Sequence, residues 1–360
     1  MKDVAIIGAG IVGLAHAYTL AKQGWRVRVY ERSLRAQGAS IRNFGMLWPI
    51  GQPAGDRAAM AMRSAEIWRE VLRAAQLWHD PVGSLHAAYH ADEVAVAQEF
   101  AAAEPERARW IGPEEALRIS PALVPNGLLG ALHSVAETIV DPRLVVRLLP
   151  EFLDEVYGVE FHFGFPVADP HVLPADLVLI ANGADFESLY PSVFAASDLT
   201  RVKLQMLRTA AQPEGWRLGP ALAAGLTLRF YKSFAHCPSL PALAQRINET
   251  MLAYDRWGIH VMASHMPDGT VTLGDSHEYG LEVDTFNKEE IDDLILAYLR
   301  GFVQLPEMAI AERWYGVYAK HPSLAYFLAD PEPNIKIVNG VGGAGMTLSF
   351  GLAERVCSNL

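Results

Sequence analysis

Gly8-Ala9-Gly10-Ile11-Val12-Gly13 is a G-x-G-x-x-G run directly after the apolar stretch Val4 to Ile7, and Glu31 lies 18 residues past its last glycine. That pattern fits dinucleotide recognition. Gly8 permits a tight turn, Gly10 lets a diphosphate approach the backbone, Gly13 lets a helix close onto the strand, and an acid at Glu31 accepts hydrogen bonds from ribose hydroxyls. The same acid disfavours a 2′-phosphate, so NADP is not expected. The fingerprint alone does not separate FAD from NAD. A second glycine run, Gly340-Val341-Gly342-Gly343-Ala344-Gly345-Met346-Thr347, follows the strand pattern at 335–338. A glycine turn there, leading into a helix from Thr347 onward, offers backbone N–H groups and the positive end of a helix dipole.

The elements that must position these residues begin with a buried strand over Val4 to Ile7 and a helix over about Ile11 to Gln23. Leu14, Ala17, Tyr18 and Ala21 form the helix's apolar face, and Gly24 closes it. A second strand, Arg26 to Tyr30, delivers Glu31. Regular strand and helix alternation then stops. A loop of small and polar residues at 38–46 leads into Trp48-Pro49 and helical patterns at 56–78, 92–103 and 113–119, which read as an inserted block. Asp141-Pro142-Arg143 opens another helix. A strand at 159–163, a short β segment around Val167 and a buried strand at 176–180 ending in Ala181-Asn182-Gly183-Ala184 return the chain to its first sheet. Strand patterns at 201–209, 227–231, 258–264 and 270–273, with the Asp268-Gly269 hairpin signal, predict an antiparallel sheet. A helix at 288–302 crosses that region.

The composition is that of a globular chain: 360 residues, 51% hydrophobic and 20% charged. A formal charge of −11 argues against a broad footprint for nucleic acid or anionic lipid. Two cysteines, Cys237 and Cys357, are too few for a disulfide framework or a thiolate metal site, and no metal is expected. With no leader pattern ahead of Val4 and no apolar run of about 18 residues, a soluble cytoplasmic protein without membrane partners is expected.

Taken together the motifs resemble the D-amino-acid oxidase type of FAD-dependent oxidoreductases, the group holding glycine and sarcosine oxidases and D-amino-acid dehydrogenases. The resemblance spans the chain. It is carried by the first glycine run with Glu31, Ala39-Ser40, Val140-Asp141-Pro142, Ala181-Asn182-Gly183-Ala184, Asp268-Gly269 with Leu273-Gly274, Trp314-Tyr315-Gly316 and the last glycine run. It implies a mixed α/β (α+β) fold of the glutathione-reductase type. A Rossmann-like FAD-binding domain (1–45, 141–198 and 316–360), with a central parallel sheet, would be interleaved with an antiparallel-sheet substrate domain (46–140 and 199–315). It also implies FAD contacts from Gly8, Ala9, Gly10, Ile11, Val12, Gly13, Glu31, Arg32, Ala39, Ser40, Arg42, Asn43, Gly45, Met46, Val167, Ala181, Asn182, Gly183, Gly316, Gly342, Gly343, Ala344, Gly345, Met346 and Thr347.

Two departures bear on the chemistry. Relatives that oxidise amino acids often carry an arginine two residues after the glycine of the Trp-x-Gly element, where it clamps a carboxylate; here that residue is Tyr318. Some sarcosine oxidases tether the flavin through a cysteine near the same element, where this chain has Val317-Tyr318, so non-covalent FAD is expected. The run from Ser40 to Gln52 is similar to a subgroup associated with phosphonate breakdown. That similarity implies an aminophosphonate related to 2-aminoethylphosphonate, held by point charges. Arg42, Trp48, Arg229, Tyr231, His265 and Tyr318 are the candidate substrate residues, and Lys232, Tyr318 and Lys320 the candidate catalytic ones. The implied reaction passes a hydride from the carbon next to a neutral amine to flavin N5, followed by imine hydrolysis, with oxygen or another carrier as electron acceptor. The alternative is an oxidase or dehydrogenase of glycine, sarcosine or a D-amino acid. An NAD-dependent dehydrogenase and a non-catalytic FAD-binding subunit rank below both. A relative of the same fold modifies tRNA, which the acidic charge disfavours here. The oligomeric state is not legible.

Overall fold

The computed structural model describes residues 2–360. Strand Asp3–Ile7 lies at the heart of a six-stranded sheet. Its order is Phe327–Glu332, Ile335–Asn339, Leu177–Ile180, Asp3–Ile7, Arg26–Glu31 and Glu160–Phe163, and every pair is parallel except the first. Val4, Ala5 and Ile6 are fully buried, as a strand covered on both faces requires. Register aligns the carboxyl ends at the first glycine turn: Ile7 pairs with Tyr30 on one side and Ile180 on the other.

Helices Ile11–Lys22, Asp56–Ala74 and Gly345–Cys357 pack together over one face of this sheet. Trp68 is fully buried against Phe350, ring centroids 4.8 Å apart at 76°, and its indole Nε1 donates to the Met346 carbonyl at 2.7 Å. The inserted helix therefore anchors the start of the terminal helix.

The second sheet has nine strands and is antiparallel apart from the parallel pair Ser84–Ala88 and Ala221–Ala224. Its longest pairing joins Thr200–Thr209 to Ile310–Lys320. A small three-stranded sheet is formed by Met46–Leu47, Thr138–Val140 and His79–Asp80.

Several expectations shift. Residues 227–231 do not form a strand: Gly225–Phe230 is a short helix and the strand is Ala221–Ala224. That alanine-rich strand has weak intrinsic β preference, but it is fully flanked by neighbours and buried, and tertiary context decides. Val167 lies outside any strand. The helix from Asp56 stops at Ala74, where Gln76 turns left-handed at φ 53° and Leu77 N–H bonds back to the Leu72 carbonyl at 2.9 Å. The helix expected over 288–302 is Glu289–Leu299, and the strand expected from 258 begins at Met262. Helix Pro142–Tyr157 is capped by Asp141, whose carboxylate accepts from Arg143 and Leu144 N–H at 2.8 and 3.1 Å.

Candidate flavin and substrate site

A cavity of about 1010 Å³ runs from the first glycine turn, along the carboxyl ends of the parallel strands, to the face of the antiparallel sheet. At its nucleotide end Gly8 adopts φ +108°, and a Cβ there would lie 2.4 Å from the Ala181 carbonyl oxygen. Gly13 is tighter: a Cβ would meet the Gly8 carbonyl oxygen at 2.0 Å, so the helix can sit this close only without a side chain. Glu31 is buried and its two carboxylate oxygens accept from Ala9 N–H at 3.1 Å and Ser33 N–H at 3.0 Å. That arrangement fixes the carboxylate at the cavity wall. Ser40 Oγ accepts from Ile11 N–H at 2.9 Å, tying the 38–46 loop to the helix start.

Helices Ile11–Lys22 and Gly345–Cys357 both begin at this cavity, and neither has a capping side chain at the residue before it, Gly10 and Ala344. Two positive helix ends thus face one space. The loop between them is held by its own polar groups. Asn43 Nδ2 donates to the Ala39 and Ser40 carbonyls at 2.9 and 3.0 Å, and its Oδ1 accepts from Gly45 N–H at 2.8 Å. Thr347 Oγ1 accepts from Trp48 N–H at 2.9 Å. Arg42 Nη1 donates to the Tyr315 carbonyl at 3.3 Å, and the Arg42 carbonyl accepts from Trp314 Nε1 at 3.3 Å.

At the far end the walls are Trp48, Phe230, Tyr231, Met262, Tyr318 and the group His260, Asp275 and His277. Tyr318 stands beside the last glycine run, where a Cβ on Gly343 would lie 3.4 Å from its hydroxyl. Burial, and then the Asp275 carboxylate, push the Tyr231 and Tyr318 phenols well above their ordinary range, so both are neutral donors. Lys232 Nζ donates to the Pro322 carbonyl at 3.3 Å and Lys320 Nζ to the Tyr279 hydroxyl at 3.1 Å, and both lysines line the cavity.

Gly8, Gly10, Ile11, Val12, Glu31, Arg32, Ala39, Ser40, Arg42, Asn43, Met46, Val167, Ala181, Asn182, Gly183, Gly316 and the run Gly342 to Thr347 all line this one cavity. Ala9, Gly13 and Gly45 do not; they form the turns behind it, Gly45 at φ +69° with its carbonyl accepting from Val140 N–H at 2.8 Å. Arg229 and His265 also stand away from it. Arg229 sits on the helix that replaces the expected strand and pairs with Asp255 at 2.6 Å. His265 lies three residues after the cavity-lining Met262 on the same strand, hence on the opposite face, edge-on to Trp216. Sequence reasoning missed Asn339, whose Nδ2 bridges Asn182 Oδ1 and the Gly183 carbonyl, both at 2.9 Å. It also missed His260 and Asp275. Their ligand-type atoms and that of His277 lie within 4.8 Å of one another, and the hairpin signal at Asp268-Gly269 was the one sequence feature that could have set 260 opposite 275.

A parallel sheet with a glycine turn, a buried ribose-type acid and a cavity opening onto an antiparallel sheet defines a dinucleotide-dependent oxidoreductase. The family model described as "FAD dependent oxidoreductase" (DAO) matches residues 3–358, and the chain belongs to that family. It is 26% identical over 378 residues, 99% of this chain, to the tRNA 5-methylaminomethyl-2-thiouridine biosynthesis bifunctional protein MnmC of Polaromonas sp., and spans 56% of that relative's length. Its fold is similar to glycine oxidase from Geobacillus kaustophilus, with TM-score 0.76, 19% identity, and coverage of 100% of this chain and 95% of the other. It is also similar to L-proline dehydrogenase from P. horikoshii, with TM-score 0.75, 19% identity, and coverage of 99% and 92%. The cofactor of this family is FAD, and the cavity fits it: a helix N-terminus at the first glycine turn for the diphosphate, a buried acid for the ribose, and close-packed glycines where the backbone must approach. Among the described residues no helix is long and apolar enough to cross a membrane.

Proposed function

We propose that this protein oxidises a small amine, and that the amine carries a phosphonate related to 2-aminoethylphosphonate. The observation behind this reading is the single cavity that joins the dinucleotide cradle to an aromatic-walled end with Arg42, Lys232 and Lys320 along its lining. FAD, when bound, supplies the two-electron acceptor for the hydride of the carbon next to nitrogen. Gly8, Gly10 and the start of helix Ile11–Lys22 would hold its diphosphate and Glu31 its ribose, while Gly342 to Thr347 would lie beside the ring. Neither cysteine lines the cavity, which favours a non-covalent hold.

Trp48, Phe230, Tyr231 and Met262 make an apolar wall that excludes water and favours the uncharged form of an amine. By the resemblance, Tyr318 stands two residues after the glycine of the Trp-x-Gly element, where amino-acid oxidising relatives often carry an arginine. Its neutral hydroxyl orients a polar group as a single donor but cannot clamp a carboxylate bidentately. A tetrahedral phosphonate does not need that fork and is suited to point charges such as Lys232 and Lys320.

A carboxylated amine such as glycine, sarcosine or a D-amino acid is the second reading. Arg42 favours it, since its guanidinium lines the cavity with one donor on the Tyr315 carbonyl and its plane near the Tyr315 ring at 5.9 Å. The test is anaerobic absorbance of the flavin band with 2-aminoethylphosphonate, its N-methyl and 1-hydroxy relatives, glycine, sarcosine and D-alanine. Bleaching by an aminophosphonate alone supports the first reading, bleaching by a carboxylated amine alone supports the second, and a colourless protein overturns both.

A further inference from the structure

The geometry points to Asp275, flanked by His260 and His277, as the group that takes the proton from the substrate's ammonium at the cavity wall. This rests on the amine-oxidising reading above. The three side chains come from two adjoining stretches. His260 immediately precedes the strand region at Met262, while Asp275 and His277 follow strand Val271–Gly274. All three are buried and line the cavity.

Their hydrogen bonding leaves room for one more proton. His277 Nδ1 lies 3.0 Å from the Gly258 carbonyl, which only accepts, so the ring proton sits on Nδ1 and Nε2 carries a lone pair. That lone pair faces Asp275 Oδ2 at 3.9 Å. With Asp275 ionised and His277 neutral, two acceptors confront each other, an opposition that a proton on Asp275 relieves. On the other side His260 Nε2 is 3.2 Å from Asp275 Oδ1 without forming a hydrogen bond, and Asp275 Oδ1 and His260 Nδ1 are both buried without a partner. Unpartnered buried polar atoms at a cavity wall mark a place where a polar ligand belongs.

Stacking keeps the pair in place: Phe230 lies over His260 at 3.8 Å and beside His277 at 4.4 Å. Burial holds both imidazoles below their ordinary range, His277 at about 3, and raises the Asp275 carboxyl well above its own. The charged and titratable groups facing them are Lys320 and Tyr318 from strand Ile310–Lys320, Tyr231 after the short helix, Tyr279, Arg229 and His86. Burial, and after it the neighbouring cations, keep the histidines neutral, so the carboxylate is the site that can gain a charge-neutralising proton. In the step itself the ammonium N–H bond breaks, an O–H bond forms on Asp275, and the electron pair stays on nitrogen. No electrons change hands.

Two measurements on the FAD-loaded protein test this. The first is difference infrared spectroscopy on addition of an amine without an α-hydrogen, either 2-amino-2-methylpropylphosphonate or α-aminoisobutyrate. A carboxylic-acid C=O band should appear in the wild type and be missing in Asp275→Asn. An unchanged spectrum, or a band already present before the amine is added, overturns the inference. The second is the pH profile of anaerobic flavin reduction by the amine that bleaches the wild type. In Asp275→Asn the rate at pH 7 should fall about a thousandfold and climb tenfold per pH unit toward the ammonium pKa near ~10, while Asp275→Glu restores the flat wild-type limb. A parallel loss at every pH would mean a structural role and overturn it, as would a stoichiometric metal ion bound by the three residues. If no amine bleaches the wild type, the amine-oxidising reading itself fails, a result distinct from any of these.

Discussion

Substituting alanine at Gly13 and at Gly10 separates two jobs within one motif. At Gly13 the new Cβ would sit 2.0 Å from the Gly8 carbonyl oxygen and 3.4 Å from Ile6 Cγ2. Real contacts of this kind essentially never fall below 3.0 Å, so the helix start must back away by about 1 Å. Overpacking of that kind costs about 1–3 kcal/mol, which for a chain this long lowers the melting temperature by about 1–4 °C. At Gly10 the Cβ would meet only Ser40 Oγ, at 3.1 Å, a contact relieved by a shift of a few tenths of an ångström that keeps the Ile11 N–H bond. Gly10→Ala should therefore leave the melting temperature of the cofactor-free protein within about 1 °C of wild type, yet lower FAD affinity by tenfold or more, because the methyl occupies the space the diphosphate needs. The assay is thermal unfolding of stripped protein, followed by fluorescence titration with FAD. A Gly13→Ala protein that melts like wild type, or a Gly10→Ala protein that binds FAD like wild type, would refute the assignment of roles.

Arg42→Met should raise KM for a carboxylated amine by tenfold or more, whereas Lys232→Met with Lys320→Met should do so for a phosphonate-bearing amine; steady-state kinetics on both substrate types compares them. His16 is fully buried in the first helix, and burial lowers its pKa from the ordinary 6.5 to about 4 despite the Val12 carbonyl at 2.7 Å. The unfolded chain therefore binds a proton first. Stability from keeping His16 neutral is complete above about pH 6.5 and is lost as pH falls toward 4, by about 2 kcal/mol between pH 7 and 5. Urea unfolding of His16→Gln should lack that share of the slope. Burial raises the Cys237 and Cys357 thiols to about 11 and about 12, so a thiol reagent at pH 8 should label neither in the native protein and both after denaturation.

The nucleotide half was legible because its physics is local. Strand, glycine turn, helix and acid follow one another within thirty residues, and each glycine answers a clash visible in the turn itself. The antiparallel half was harder. Ile310–Lys320, its longest strand, alternates weakly because Glu312 and Arg313 on its opposite faces are both exposed while Tyr318 lines the cavity, and only pairing with Thr200–Thr209 defines it. Arg229 was misassigned for the same reason, since a stretch that reads as β by composition is a helical turn once Ala221–Ala224 takes the place in the sheet. His260 and Asp275 carry no motif of their own; the register of the hairpin turning at Asp268-Gly269 sets them opposite each other.

The order of strands in the parallel sheet also governs when the protein can form as it is made. Asp3–Ile7 pairs with Leu177–Ile180, and Val178 of that strand pairs with Ile335. At translation rates of about 5–20 residues per second, the first strand waits many seconds for its second neighbour, and the parallel part of the sheet is complete only when Ile335–Asn339 has left the ribosome. Until then the apolar run Val4 to Ile7 and the strand at 177–180 present open edges. The nascent chain is accordingly the stage at which this protein is most exposed to aggregation, and a chaperone that shields its first two hundred residues should raise the yield more than one acting on the finished chain.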